Sequence, residues 1–200
     1  FAGFATICII IALYEWMHLT RSAIIKIIGI FYLGFSLFEI ILIRNEIFAD
    51  HFNYFHPFHG TGFGVWYILI FLAAIWASDS TAYLFGKMIG GKKMSPTISP
   101  NKTWSGYAGA LIGPVIILVL EQTVHPLEEF DPMNVSYLRA ILFGVLIGVT
   151  GQAGDLMISA MKRKIGVKDT GAIIPGHGGI LDRIDALLLA LPVYICYLKF

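Results

Sequence analysis

Six long apolar runs, broken by short polar stretches, set the pattern of this chain. A membrane-crossing helix needs roughly 20 mostly apolar residues. Residues 1–19, 22–43, 65–86, 104–123, 137–160 and 179–198 meet that length. The pattern predicts an all-α, polytopic helix bundle of about six transmembrane helices. Only Thr20-Arg21 and its neighbours separate the first two runs, so these form a tight helical hairpin. Lys26 and Glu39 lie toward the ends of the second run, where long side chains are expected to snorkel. An aromatic, His-bearing loop from Asp50 to Gly64 follows, and its Phe and Tyr residues suit the headgroup zone. Runs four and five are joined by HPLEEFDPMN, in which Pro126 and Pro132 break the helix and Glu128, Glu129 and Asp131 make the loop acidic.

Composition sharpens this. Hydrophobic residues make up 57% of the chain and charged residues 14%, with a mean hydropathy of +0.76. A soluble domain is usually about 45–50% apolar and about 25% charged. The chain therefore reads as an integral membrane protein. The formal net charge of +1 says little, because the charges are segregated, and no nucleic-acid partner is expected. Cys8 and Cys196 sit in apolar runs without framework spacing and read as small buried hydrophobes. Phe1 lies inside an apolar run with no basic flank, which argues against a signal peptide and for sequence upstream.

Basic residues recur on alternate loops. Arg21 follows run one, Lys87, Lys92, Lys93 and Lys102 follow run three, and Lys162, Arg163, Lys164 and Lys168 follow run five. By the positive-inside rule these loops face the cytoplasm, where nucleotide triphosphates are found.

Some residues do not belong in an apolar run. Asp79, flanked by Ser78, Ser80 and Thr81, is ionisable at membrane depth and is by default a functional candidate, with helix packing as the alternative. Gly86, Gly90 and Gly91 leave the backbone open to close approach. In SPNKTWSG, Pro100 stops any helix, and Ser99, Lys102 and Thr103 stand before run four. A lysine, a hydroxyl and free amides at a helix start make an anion site, although helix capping alone would explain Thr103. Asp155 and Ser159 are four residues apart and share a helix face, with Lys162 three further on.

The most specific stretch is Ser159 to Asp185, SAMKRKIGVKDTGAIIPGHGGILDRID. It crowds Lys162, Arg163, Lys164 and Lys168 into a polar loop and ends in a Gly-rich turn, Gly176-His177-Gly178-Gly179. Asp182 and Asp185 then lie on one helix face. Cations, backbone amides and paired carboxylates suit a polyphosphate held with a divalent metal. His177 reads either as a loop hydrogen-bonder or as a donor to phosphate. Arg183 projects elsewhere and could pair with Asp155.

At these residues the chain resembles the CDP-diacylglycerol synthases, or phosphatidate cytidylyltransferases. Their signature is met at Ser159, Lys162-Arg163, Lys168-Asp169, Gly171, Ile174-Pro175, His177-Gly178-Gly179, Asp182-Arg183 and Asp185. The resemblance extends upstream through WASDSTAYLFGKMIGGKK, SPNKTWSG and GDLMIS, over roughly residues 65 to 198. Runs one and two match only in being apolar. One departure is Ser105, where such proteins often have Glu.

The resemblance implies that CTP and phosphatidic acid give CDP-diacylglycerol and diphosphate, with Mg²⁺ and with a second, monovalent ion left open. It implies a bilayer-embedded enzyme of phospholipid synthesis in a bacterial inner membrane, its site facing the cytoplasm, with a homodimer also open. Asp155, Asp182 and Asp185 become the expected metal ligands. Lys162, Arg163 and Lys168 are expected to act on phosphates, with Lys102 and Thr103 from the other loop. Ser99, Ser159, His177, Gly178, Arg183 and Asp79 complete the substrate-binding set. Residues 1–64 then form an N-terminal hairpin and loop, and residues 65–200 the catalytic membrane domain.

Three other readings stay open from residues alone. Asp79 and Asp155 could line the path of a transporter or channel, although no repeat or broken helix at the midplane is visible. The chain could be another lipid phosphotransferase, such as a polyprenol kinase. It could also be a degenerate scaffold.

Overall fold

The computed structural model describes residues 2–45, 63–124, 135–173 and 178–199. Residues 50–62 of the aromatic loop, the acidic loop at 125–134 and residues 174–177, His177 among them, lie outside the described residues.

Each apolar run folds as a helix. These are α1 (Ala2–His18), α2 (Ala23–Arg44), α3 (Phe63–Met88), α4 (Trp104–Val124), α5 (Val135–Lys164) and α6 (Leu181–Lys199). Four of them, α2 to α5, are long and apolar enough to cross a membrane by length and composition. α1 is shorter, at 17 residues. α6 carries Asp182, Arg183 and Asp185 in its first turns. At 1.5 Å per residue, the 30 residues of α5 exceed a hydrocarbon core of roughly 30 Å. Its last turn, Lys162-Arg163-Lys164, therefore has length to emerge into the polar zone. The chain is a polytopic helical membrane protein.

The all-α expectation needs one amendment. A short antiparallel hairpin, β1 (Lys93–Ser95) and β2 (Ser99–Thr103), joins α3 to α4. Lys102 thus sits on a strand rather than on a helix start. Gly90 and Gly91 turn the chain into this hairpin with φ of 66° and 103°, where a side chain would be strained. Thr103 closes the strand and caps α4: its Oγ1 accepts the Gly106 N–H at 3.1 Å.

The centre of the bundle is α3, α4, α5 and α6. Close approach of α3 and α4 depends on small residues, as in many membrane helix pairs. A Cβ on Gly106, Gly109 or Gly113 would collide with the backbone or side chains of α3. Ser78 and Thr81 hydroxyls donate across this seam to the Ala110 and Gly109 carbonyls at 2.9 and 2.7 Å. α1 and α2 form the expected hairpin, pinned by Trp16 Nε1–H donating to the Ile25 carbonyl at 3.0 Å.

Two apolar clusters result. One, around Leu118, Ile147 and Tyr194, fills the end of the bundle away from the polar loops. The other, around Trp16, Ile158 and Leu181, packs α1 against α5 and α6 beneath them.

Two smaller expectations fail. Glu39 does not snorkel: it is 3% exposed, because its face of α2 turns inward. Cys196 is exposed on the outer face of α6 rather than buried, and both cysteines are free.

Candidate active site

Helix polarity brings the ends of four helices together at one end of the bundle. The C-terminal turns of α3 and α5 meet the N-terminal turns of α4 and α6, with β1–β2 folded over them. Arg163 ties the hairpin to the loop after α5: its Nε–H donates to the Ile98 carbonyl at 3.1 Å, and its Nη1–H to the Val167 carbonyl at 3.1 Å.

Two cavities open here and share the side chains of Asp79 and Asp155. The larger, about 460 Å³, lies between α3, α4 and the hairpin, with Tyr83, Tyr107, Lys87 and Lys102 on its walls. The smaller, about 360 Å³, is almost wholly polar and is lined by Lys162, Asp169, Asp182, Arg183 and Asp185 beside the shared pair. A polar pocket and a more apolar one meeting at two carboxylates suit a reaction between two unlike molecules.

Two lysine–aspartate pairs dominate the electrostatics. Lys102 Nζ lies 2.5 Å from Asp155 Oδ2 and donates to Gln152 Oε1 at 2.8 Å. Ser159 Oγ–H donates to the other oxygen, Asp155 Oδ1, at 3.1 Å, as the shared helix face predicts. Lys162 Nζ lies 2.6 Å from Asp182 Oδ1. Asp182 Oδ2 accepts three further bonds, from the N–H and hydroxyl of Thr170 at 2.8 and 3.0 Å and from the Gly179 N–H at 3.0 Å. Asp185 is buried, and its Oδ1 accepts the Ala186 N–H at 2.8 Å.

The remaining expected residues fall as follows. Gly178, at φ 85°, makes the turn into α6, and a Cβ there would lie 2.9 Å from Asp182 Oδ2. Ser99 is half-buried on β2, away from the cavity walls. Lys168 is exposed on the loop and lines neither cavity. Arg163 faces the hairpin rather than either cavity. Ser105 has a local job: its hydroxyl bonds the Gly90 carbonyl and Thr103 Oγ1.

The Gly-rich turn is expected to offer its amides to phosphate; Gly176 and His177 lie outside the described residues, and the described amides at the end of the turn are not free. The Gly179 N–H is taken by Asp182, and the Ile180 and Leu181 N–H groups by Glu15 of α1 at 3.0 and 2.8 Å. Glu15 was missed altogether. The criterion that singled out Asp79, an ionisable group inside an apolar run, applies equally to it.

Oxygen donors of this kind suit a hard divalent cation. Among the described residues, no three His, Cys, Asp or Glu side chains are grouped closely enough to hold a metal ion by themselves. Asp155, Asp182 and Asp185, expected together as metal ligands, therefore do not form a ready three-carboxylate site; water and substrate phosphates would have to complete the shell of a bound ion.

Comparison with known proteins gives the family. The chain is 42% identical over 137 residues, 68% of its length and 44% of the relative's, to the uncharacterized protein YnbB of Escherichia coli (strain K12). It is 42% identical over 130 residues, 65% of its length and 46% of the relative's, to the phosphatidate cytidylyltransferase of Bacillus subtilis (strain 168). Against the phosphatidate cytidylyltransferase of Staphylococcus aureus (strain COL) it is 44% identical over 132 residues, 65% and 48% of the two lengths. The chain spans about half the length of the curated relatives it matches. The cytidylyltransferase family model matches residues 1–200, so it takes in the hairpin that the signature residues left aside. With the signature residues gathered at one polar end of a helical membrane bundle, the chain belongs to the cytidylyltransferase family.

Proposed function

We propose that this chain carries the active site of a CTP:phosphatidate cytidylyltransferase, forming CDP-diacylglycerol and diphosphate for phospholipid synthesis. The observation that carries the reading is the junction of two cavities at Asp79 and Asp155, flanked by Lys102 and Lys162, at the polar end of an apolar bundle. A lipid headgroup and a nucleotide have to meet at such a boundary.

A phosphatidate oxygen attacks the α-phosphorus of CTP. The new P–O bond forms as the bond to the β-phosphate breaks, and diphosphate leaves with the electron pair. Such a transfer needs alignment and charge neutralisation more than covalent help. Lys102 and Lys162 supply positive charge on either side of Asp155. Lys102, in the more exposed pair, can exchange its carboxylate partner for a phosphate oxygen as substrate enters, while Lys162 stays on Asp182 and lends its charge to the cavity wall. One or two of Asp155, Asp182 and Asp185 would hold Mg²⁺ together with water and substrate phosphates, and the ion when bound offsets charge on the triphosphate; a monovalent ion beside it belongs to the same proposal.

Asp79 closes the floor of both cavities. Ser159 orients Asp155, Thr103 sets the start of α4, and Gly178 gives Asp182 room. Arg183, on the wall of the smaller cavity, would meet phosphate there; for Ser99, His177, Arg163 and Lys168 a part in phosphate binding is supported by the sequence resemblance alone. Catalytic groups thus fall within 65–200, behind the 1–64 hairpin. The positive-inside pattern supports a site facing the cytoplasm, in this reading from a bacterial inner membrane, and a homodimer is compatible with the exposed apolar helix faces.

The test is radiolabelled CTP and phosphatidic acid given to the purified protein in lipid vesicles with Mg²⁺. Metal-dependent appearance of labelled liponucleotide is expected. Transfer of the γ-phosphate to a polyprenol, or ion flux without CTP turnover, would replace this reading with a kinase or a channel.

A further inference from the structure

Glu15 lies in α1, 1% exposed, and the reaction as described has no use for it. Its oxygens nevertheless collect three hydrogen bonds from the far end of the sequence. Oε1 accepts the Ile180 N–H at 3.0 Å, and Oε2 accepts the Leu181 N–H and the Thr170 hydroxyl, each at 2.8 Å. The same Thr170 hydroxyl lies 3.0 Å from Asp182 Oδ2. A hydroxyl has one proton, so it donates to one carboxylate at a time. With its hydroxyl on Glu15 and its N–H on Asp182 Oδ2 at 2.8 Å, Thr170 links the two carboxylates.

The surrounding backbone is shaped to this bridge. A Cβ on Gly171 would lie 2.7 Å from Glu15 Oε1, and one on Gly179 would overlap both Thr170 Oγ1 and Glu15 Oε2. Two glycines of the signature stretch thus leave the space that Glu15 and its partner fill. A simple helix cap would need only the two amides of α6. The hydroxyl shared with Asp182 is extra, and it is the kind of outer contact that orients a carboxylate toward a cation.

We propose that Glu15 is a positioning residue of the active site. Through Thr170 and the first amides of α6, it holds Asp182 in the attitude that faces the polar cavity. α1 is then part of the catalytic apparatus as well as of the membrane anchor. The inference rests on the cytidylyltransferase reading for its consequence in turnover, but not for its consequence in metal binding.

The test uses the complete protein in detergent, with Mn²⁺ as a spectroscopic probe and liponucleotide formation as a second readout. Glu15→Gln keeps the size but turns an N–H₂ toward at least one of the three donors. Mn²⁺ affinity and kcat are each expected to fall by about 10–100-fold, with little change in half-saturating CTP. Thr170→Val removes the hydroxyl that faces both Glu15 and Asp182, leaves the Thr170 N–H on Asp182 and the α6 amides on Glu15, and reproduces most of both losses, whereas Thr170→Ser restores them. If Glu15→Gln does not fold, the Thr170 variants decide. Folded Glu15→Gln or Thr170→Val protein with wild-type Mn²⁺ affinity overturns the proposal and leaves Glu15 a helix cap; so does a wild-type protein without measurable Mn²⁺ binding. Weakened Mn²⁺ binding in the variants, with a wild type inert toward CTP and phosphatidate, would sink the enzyme reading and leave this one standing.

Discussion

The Lys102–Asp155 and Lys162–Asp182 pairs have nearly the same length, 2.5 and 2.6 Å, and very different surroundings. The side chains of the first pair are 20% and 32% exposed, and those of the second 10% and 8%. Beyond its lysine, Asp155 is held by Ser159, while Asp182 gathers the Thr170 N–H, the Thr170 hydroxyl and the Gly179 N–H. Asp155 bridges a strand and a helix across the mouth of two cavities. Asp182 is the knot around which the loop between α5 and α6 is tied. Proximity of opposite charges does not by itself define a role. The first pair is placed to change partners, and the second to keep them.

Breaking the second pair should have the largest effect. Asp182→Asn leaves Lys162 buried without its counter-charge, and loss of one partner of a buried pair typically costs about 3–5 kcal/mol. Activity should fall with stability, both read on the same purified protein by thermal unfolding and CTP turnover. A variant that melts like the wild type would show that Asp182 is no structural knot. Asp155→Asn should separate the two properties. Turnover should drop by about 10²–10³-fold, as when a key charge-stabilising group is removed, while stability changes by about 1 kcal/mol or less. Equal destabilisation by Asp155→Asn and Asp182→Asn would erase the contrast.

Lys102→Ala should weaken nucleotide binding with fold and membrane insertion intact. A roughly tenfold rise in half-saturating CTP corresponds to about 1.4 kcal/mol, and steady-state kinetics would detect it. An unchanged CTP dependence would confine Lys102 to neutralising Asp155. Ser159→Ala should matter least. It removes one neutral donor from Asp155, worth about 1 kcal/mol, so only a several-fold loss of turnover is expected. A loss as large as that of Asp155→Asn would mean that the hydroxyl touches substrate.

The six helices were legible in the chain because membrane-length apolar runs are local and long, and hydrogen-bonding within each helix satisfies its own backbone. The signature from Ser159 to Asp185 identified the family for a similar reason: its spacings are fixed along one stretch. Ser159 beneath Asp155, one helical turn away, followed from periodicity alone. Partner choice did not. Lys102 could have paired with any nearby acid, and only the hairpin's fold over α5 brings it to Asp155. The amides just after the Gly-rich turn look free in the sequence because no local residue claims them. The acceptor of the Ile180 N–H, Glu15, stands 165 residues away from it in sequence. Local spacing settled which elements form and which residues are unusual. Which charges neutralise one another was settled by helix packing, because that depends on distances in space that no periodicity encodes.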